Sequence, residues 1–125
     1  VDIYKTDGTI GCGTKITDAK NILERKGVQT SDYILGYDGN EYIIDDVVSD
    51  FRSYIQDGWT IFTLVNYKCS GKPDGCYHFF WITDVDGKGN VMAYDPYYGK
   101  NTHSAINENA RYPDPKYVAA FGVKK

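Results

Sequence analysis

Asp57-Gly58-Trp59-Thr60-Ile61-Phe62-Thr63-Leu64-Val65-Asn66-Tyr67 is the stretch where the hydrophobic period of the chain changes from three-to-four to two. Upstream of it, Val47, Val48, Phe51, Tyr54 and Ile55 recur at helical spacing, which predicts a helix over Ile44 to Asp57 stopped by Gly58. Downstream, Trp59 to Tyr67 is rich in β-branched and aromatic residues and reads as a strand. His78 to Val85 reads as a second strand, with Asp86-Gly87-Lys88-Gly89-Asn90 as its turn and Val91 to Tyr94 pairing back as a third. Asp95-Pro96 ends that strand, because proline has no N–H to give a ladder and restricts the residue before it. Residues 97 to 116 read as irregular, and Tyr117 to Val123 as a last strand.

Toward the N-terminus, Ile16, Ala19, Ile22 and Leu23 predict another helix, from about Gly13 to Lys26, with Gly27 as its stop. Between the helices, Val28 to Ile43 mixes turn formers with aromatics and reads as a long surface loop containing one short strand at most. Two helices followed by a run of antiparallel strands is the pattern of an α+β fold, with the N-terminal helices packed on one side of an antiparallel sheet.

At 125 residues the chain is expected to form a single domain, 1–125, with one core. A net charge of −3 and the absence of any basic patch argue against nucleic acid as a partner. The longest apolar runs are strand-sized, so no membrane span is expected. Beginning with Val1 rather than Met, the chain reads as an excised domain or a mature product of a longer protein. The twelve tyrosines suit an exported domain, for which a secreted or cell-surface location is expected. Of three cysteines, Cys69 and Cys76 flank a turn-rich segment and could close it as a disulfide in an oxidising compartment, or remain free as small core residues. Pairing them leaves Cys12 as the odd thiol.

Cys12 lies in Gly11-Cys12-Gly13-Thr14 at the start of the first helical pattern, where free N–H groups and the positive end of the helix dipole favour a thiolate. His78 opens a strand and Asp95 closes the one antiparallel to it, so the hairpin is expected to set them side by side. A carboxylate-held imidazole is the orienting half of a nucleophilic triad, and Cys12 would supply the other half.

These motifs resemble the papain-like cysteine peptidases, most closely the double-glycine leader (bacteriocin-processing) type. The residues that carry the likeness are Gly11-Cys12-Gly13, the Asp57-Gly58-Trp59 entry into a strand, Tyr77-His78-Phe79-Phe80-Trp81-Ile82 and Val91-Met92-Ala93-Tyr94-Asp95-Pro96-Tyr97-Tyr98-Gly99, in family order over almost the whole chain. The resemblance implies a papain-like fold, with Cys12 as nucleophile, His78 as general base and acid, and Asp95 as the orienting residue. It implies a bacterial peptidase or amidohydrolase that needs no cofactor and acts on a peptide, a protein or a glutamine amide. It also implies two alternatives: a protease or deamidase toxin domain with an immunity or inhibitor protein as partner, and a degenerate domain that only binds peptide. The family's oxyanion-hole Gln before the cysteine is absent from residues 1 to 11, and Thr6 is the nearest hydroxyl donor to that place. The Pro usual after Cys-Gly is replaced by Thr14.

Two other groupings carry less. Cys69, Cys76 and His78 are soft ligands without the four-ligand spacing of zinc sites, and Asp84, Asp86 and Asn90 lack the spacing and downstream Glu of a calcium loop. His103, beside Asn101 and Thr102, reads as a solvent-exposed loop residue.

Overall fold

A computed structural model describes residues 16–36, 40–86, 88, 91–94, 103–105 and 112–124. In chain order its elements are α1 (Ile16–Arg25), β1 (Gln29–Leu35), α2 (Ile44–Gln56), β2 (Thr60–Cys69), β3 (Lys72–Val85), β4 (Val91–Tyr94), β5 (His103–Ala105) and β6 (Lys116–Lys124). The strands form one sheet in the order β1-β6-β2-β3-β4-β5, with every neighbouring pair antiparallel. The fold is therefore α+β.

Both helices end by the same local device. Beyond α1, the Val28 N–H donates to the Leu23 carbonyl and the Gly27 N–H to that of Glu24, with Gly27 at φ 83°. Beyond α2, the Trp59 N–H donates to Tyr54 and the Gly58 N–H to Ile55, with Gly58 at φ 91°. This pair of bonds satisfies carbonyls that a helix end leaves unpaired, and it needs a residue that tolerates the left-handed region. At the start of α2, Asp46 accepts the Ile43 N–H on Oδ2 and donates its own N–H to the Ile43 carbonyl.

The two helices lie on opposite faces of the sheet, which corrects the expectation that both pack on one side. Ile16, Ala19 and Leu23 of α1 pack with Phe62, Leu64, Phe79 and Phe121, whereas Val47 and Phe51 of α2 pack with Ile61, Val65, Phe80 and Ile82. Successive strand residues point to opposite faces, so a strand covered on both sides is apolar at every position. All of Ile61 to Val65 is buried, and that unbroken run follows from the double cover. In β6, Leu64 pairs with Ala119 and Val65 with Tyr117, leaving Val118 as the extra residue of a bulge. The bulge places Tyr117 and Ala120 together on the α2 face, and Val118 and Phe121 on the other.

Three other segments differ from the sequence reading. The region expected to be mostly loop contains β1, seven residues that pair with β6 along the sheet edge. Its residues are largely exposed and only Leu35 is buried, so it carries almost no apolar signal. The second strand begins at Lys72 rather than His78, because the cysteine-flanked segment is a tight hairpin with Cys69 opposite Lys72 and Gly71 at φ 78° in its turn. His103 is the first residue of β5, which pairs with Tyr94 of β4, and is not in a loop.

Candidate functional site

His78 is placed by the β2–β3 hairpin, on the rung opposite Val65. Strand alternation turns it to the α2 face with Phe80 and Ile82, and it is only 3 % exposed. Thr63, Asn66 and His78 are the buried polar residues among those described. The Thr63 hydroxyl donates to the Ala119 carbonyl at 2.8 Å, and the Asn66 amide donates to Glu41 Oε2 at 3.1 Å and to the Asp74 carbonyl at 3.2 Å.

The imidazole of His78 is enclosed by rings. Tyr112 stacks on it with centroids 5.7 Å apart and planes 15° from parallel, and Phe80 meets it edge-on at 4.7 Å and 87°. Tyr112 is itself perpendicular to Phe80 at 4.8 Å and to Tyr67 at 5.0 Å. Its backbone neighbour is fixed as well, since the Pro113 carbonyl accepts the Lys68 N–H at 2.9 Å. Tyr112 is 34 positions from His78 in sequence and belongs to no periodic pattern, so sequence reasoning had no signal for it.

The first turns of both helices point toward the His78 end of the sheet. In α1, Glu24 accepts the Thr30 hydroxyl at 2.6 Å, and Lys20 stands over Tyr33 and Phe121. Thr30 pairs with Val123 and Tyr33 with Phe121, so α1 read backwards climbs toward Val118, Leu64 and Phe79, one rung short of His78. On the other face, Arg52 of α2 donates to the Asp86 carbonyl at the far end of β3. Before α2, Tyr42 bridges to Tyr117 at the near end. His78 thus shares the sheet's end with the first turn of α1 and shares its face with α2.

Cys12, Thr6 and Asp95 lie outside the described residues. Cys12 precedes the first residue of α1 by four positions, and α1 packs on the face opposite the His78 side chain. The last described rung between β3 and β4 is Trp81 with Tyr94, adjacent in sequence to Asp95.

Cys69 and Cys76 are bonded to each other across the β2–β3 arm, with Cα atoms 5.9 Å apart, so neither offers the thiolate a zinc ion would take. In the turn after β3, Asp86 accepts the Lys88 N–H at 2.8 Å, as a turn former does, and Asp84 accepts the Val85 N–H at 2.8 Å. Among the described residues no group of three or more His, Cys, Asp or Glu side chains converges as a metal site would require. A recess of about 680 Å³ lies away from His78, on the α1 face, between Leu23, Val28, Thr60, Trp81 and Val123. No described helix is long and apolar enough to cross a membrane. Comparison of the chain with protein-family models, with curated proteins and with solved structures finds no match in any of the three.

Proposed function

We propose that the chain is a papain-like cysteine hydrolase domain, acting on a peptide bond or a glutamine amide through Cys12, His78 and Asp95. The observation that carries this reading is the buried imidazole of His78, kept on the largely apolar sheet face it shares with Thr63 and flanked by the rings of Phe80 and Tyr112, at the end toward which α1 opens. Burying a polar ring costs stability unless it is hydrogen-bonded, so packing alone favours an apolar residue at this position.

In this mechanism His78 takes the Cys12 thiol proton and the thiolate attacks the amide carbonyl. The amine or ammonia departs with the proton from His78, and water then releases the acyl group. The Cys12 N–H, with Thr6 in the place of the family's Gln, would hold the oxyanion. The disulfide fits an exported parent protein, because such bonds persist in oxidising compartments. A secreted or cell-surface bacterial domain, a toxin module with an immunity partner included, is compatible with this chemistry.

A second reading is a peptide-binding relative without catalysis. It is favoured by the position of α1, which has the sheet between it and the His78 side chain, so Cys12 reaches His78 only if residues 12–15 round the end of the sheet.

Alkylation separates the two. With Cys69 and Cys76 bonded, Cys12 is the one remaining thiol of the three, and iodoacetamide uptake reports on it alone. The hydrolase reading expects alkylation near neutral pH at least about tenfold faster than for an unperturbed thiol, and a return to the ordinary rate in His78→Ala. An ordinary rate that His78→Ala does not change leaves the binding module as the reading.

A further inference from the structure

We infer that the Cys69–Cys76 disulfide is a redox-sensitive lock on one corner of the domain, closed in an oxidising compartment and opened by a dithiol reductant, and is not a staple on the fold as a whole. The inference concerns the scaffold beside His78 and does not depend on the hydrolase reading.

The bond sits where the β2–β3 ladder is broken. Tyr67 pairs with Cys76 and Cys69 with Lys72, so between these two rungs Lys68 alone faces Pro73, Asp74 and Gly75. Proline has no N–H to give the ladder, and Gly75 turns into the left-handed region at φ 83°. A side chain on Gly75 would run into the Asn66 amide and the Tyr67 carbonyl. Backbone hydrogen bonds hold the two strands poorly at such a bulge, and the covalent bond bridges it. Residues 70–74 at the tip are exposed and both cysteines are half-buried, within reach of a small reductant.

What the lock holds is the neighbourhood of His78. Cys76 lies two residues before His78 in β3, on the same face. Lys68, at the bulge, donates its N–H to the Pro113 carbonyl at 2.9 Å, and Pro113 follows Tyr112, whose ring packs against Tyr67 and His78. The Asn66 amide ties the Asp74 carbonyl to Glu41 across the same corner. The rest of the sheet has other support. From Thr60 to Asn66, β2 is laddered to β6, and from Ile61 also to β3, with a core on each face. The disulfide joins residues only seven positions apart, a short loop whose release changes the unfolded chain little. Opening proceeds by thiol–disulfide exchange. A reductant thiolate attacks one sulfur to give a mixed disulfide, and the reductant's second thiol then displaces the protein sulfur. Two electrons and two protons pass to the protein, leaving Cys69 and Cys76 as thiols and the reductant as a cyclic disulfide.

The test is amide hydrogen exchange followed by NMR on the wild type with and without dithiothreitol, and on Cys69→Ser/Cys76→Ser as the permanently open form. On reduction and in the double variant, the Lys68 amide is expected to exchange at least about tenfold faster and the ring resonances of His78 and Tyr112 to move, while the Phe62 and Leu64 amides keep their protection. Removing the reductant and adding a small disulfide oxidant is expected to restore the starting spectrum. Protection lost at Phe62 and Leu64 together with Lys68 makes the bond a global staple and overturns the inference. Lys68 exchange unchanged by reduction overturns it too, as does a bond that dithiothreitol does not open while the protein is folded. If the double variant does not fold, the reduced wild type decides by the same readouts.

Discussion

Against α1 the sheet presents Phe62 ringed by Phe79, Trp81 and Phe121, with centroids at 4.8 to 5.5 Å, and that face stays free of buried polar side chains until Asn66 near its end. Against α2 it presents a comparable apolar run interrupted by Thr63, His78 and the phenol of Tyr117. Tyr117 is fully buried, its hydroxyl has no hydrogen-bond partner among the described residues, and burial pushes its pKa far above the ordinary phenol range. One face is thus optimised for packing, and the other carries polar groups that packing alone would not select. The contrast leaves the α1 face to apolar packing and puts most of the buried polar groups on the α2 face.

The largest effect expected from this contrast is on Phe62. Its ring is the hub of the α1 face, and Phe62→Ala should lower the unfolding free energy by about 3–5 kcal/mol in a urea titration. A loss below about 1.5 kcal/mol would mean that the face is not a close-packed core. A smaller effect, of opposite sign, is expected on the other face. Tyr117→Phe keeps the ring that meets Phe51 edge-on at 5.4 Å and removes only the unpaired hydroxyl, so stability should be unchanged or higher by up to about 1 kcal/mol. A clear destabilisation would instead show that the hydroxyl has a partner and would narrow the difference between the faces.

The smallest effect concerns the exposed rim of α1. The Glu24 carboxyl is held below its ordinary range, first by the Thr30 hydroxyl and then by the Lys20 ammonium at 3.0 Å. A carboxyl with a lowered folded pKa stabilises the fold above its unfolded value and loses that contribution as pH falls through the folded one. Glu24→Gln should therefore flatten the decline of stability on acidification below about pH 4.5, leaving a small deficit at neutral pH. An acid limb identical to that of the wild type would rule the contact out as a contributor.

Much of the scaffold was legible because its signals are local. The spacing of Ile16, Ala19 and Leu23, and of Val47 and Phe51, marks one buried stripe per helix, and Gly27 and Gly58 mark stops that need a left-handed residue. The alternative sides of the sheet were not read, although Ile61 to Val65 held the clue in being apolar or Thr at every position rather than at every second one. Edge strand β1 was hidden by its polar residues Gln29, Thr30, Ser31 and Asp32, since an edge needs only one good face. At the candidate site, His78 stood out in the sequence as a polar residue leading an apolar strand, but the ring beside it did not. The contact between positions 78 and 112 is made by tertiary folding and leaves no periodic trace in either segment.

The position of β6 has a consequence for the order in which the domain can assemble. Of all the elements it comes latest in the sequence, yet it lies between β1 and β2 and contributes Tyr117 and Ala120 to one core and Val118 and Phe121 to the other. A chain emerging from the ribosome can close the β2–β3 hairpin early, because its partners are near in sequence. It cannot seal either face until residues 116–124 have been made and have travelled back across the sheet. Until then β1 has no neighbour and two apolar surfaces stand open, so the nascent domain depends on its last strand to stop being sticky.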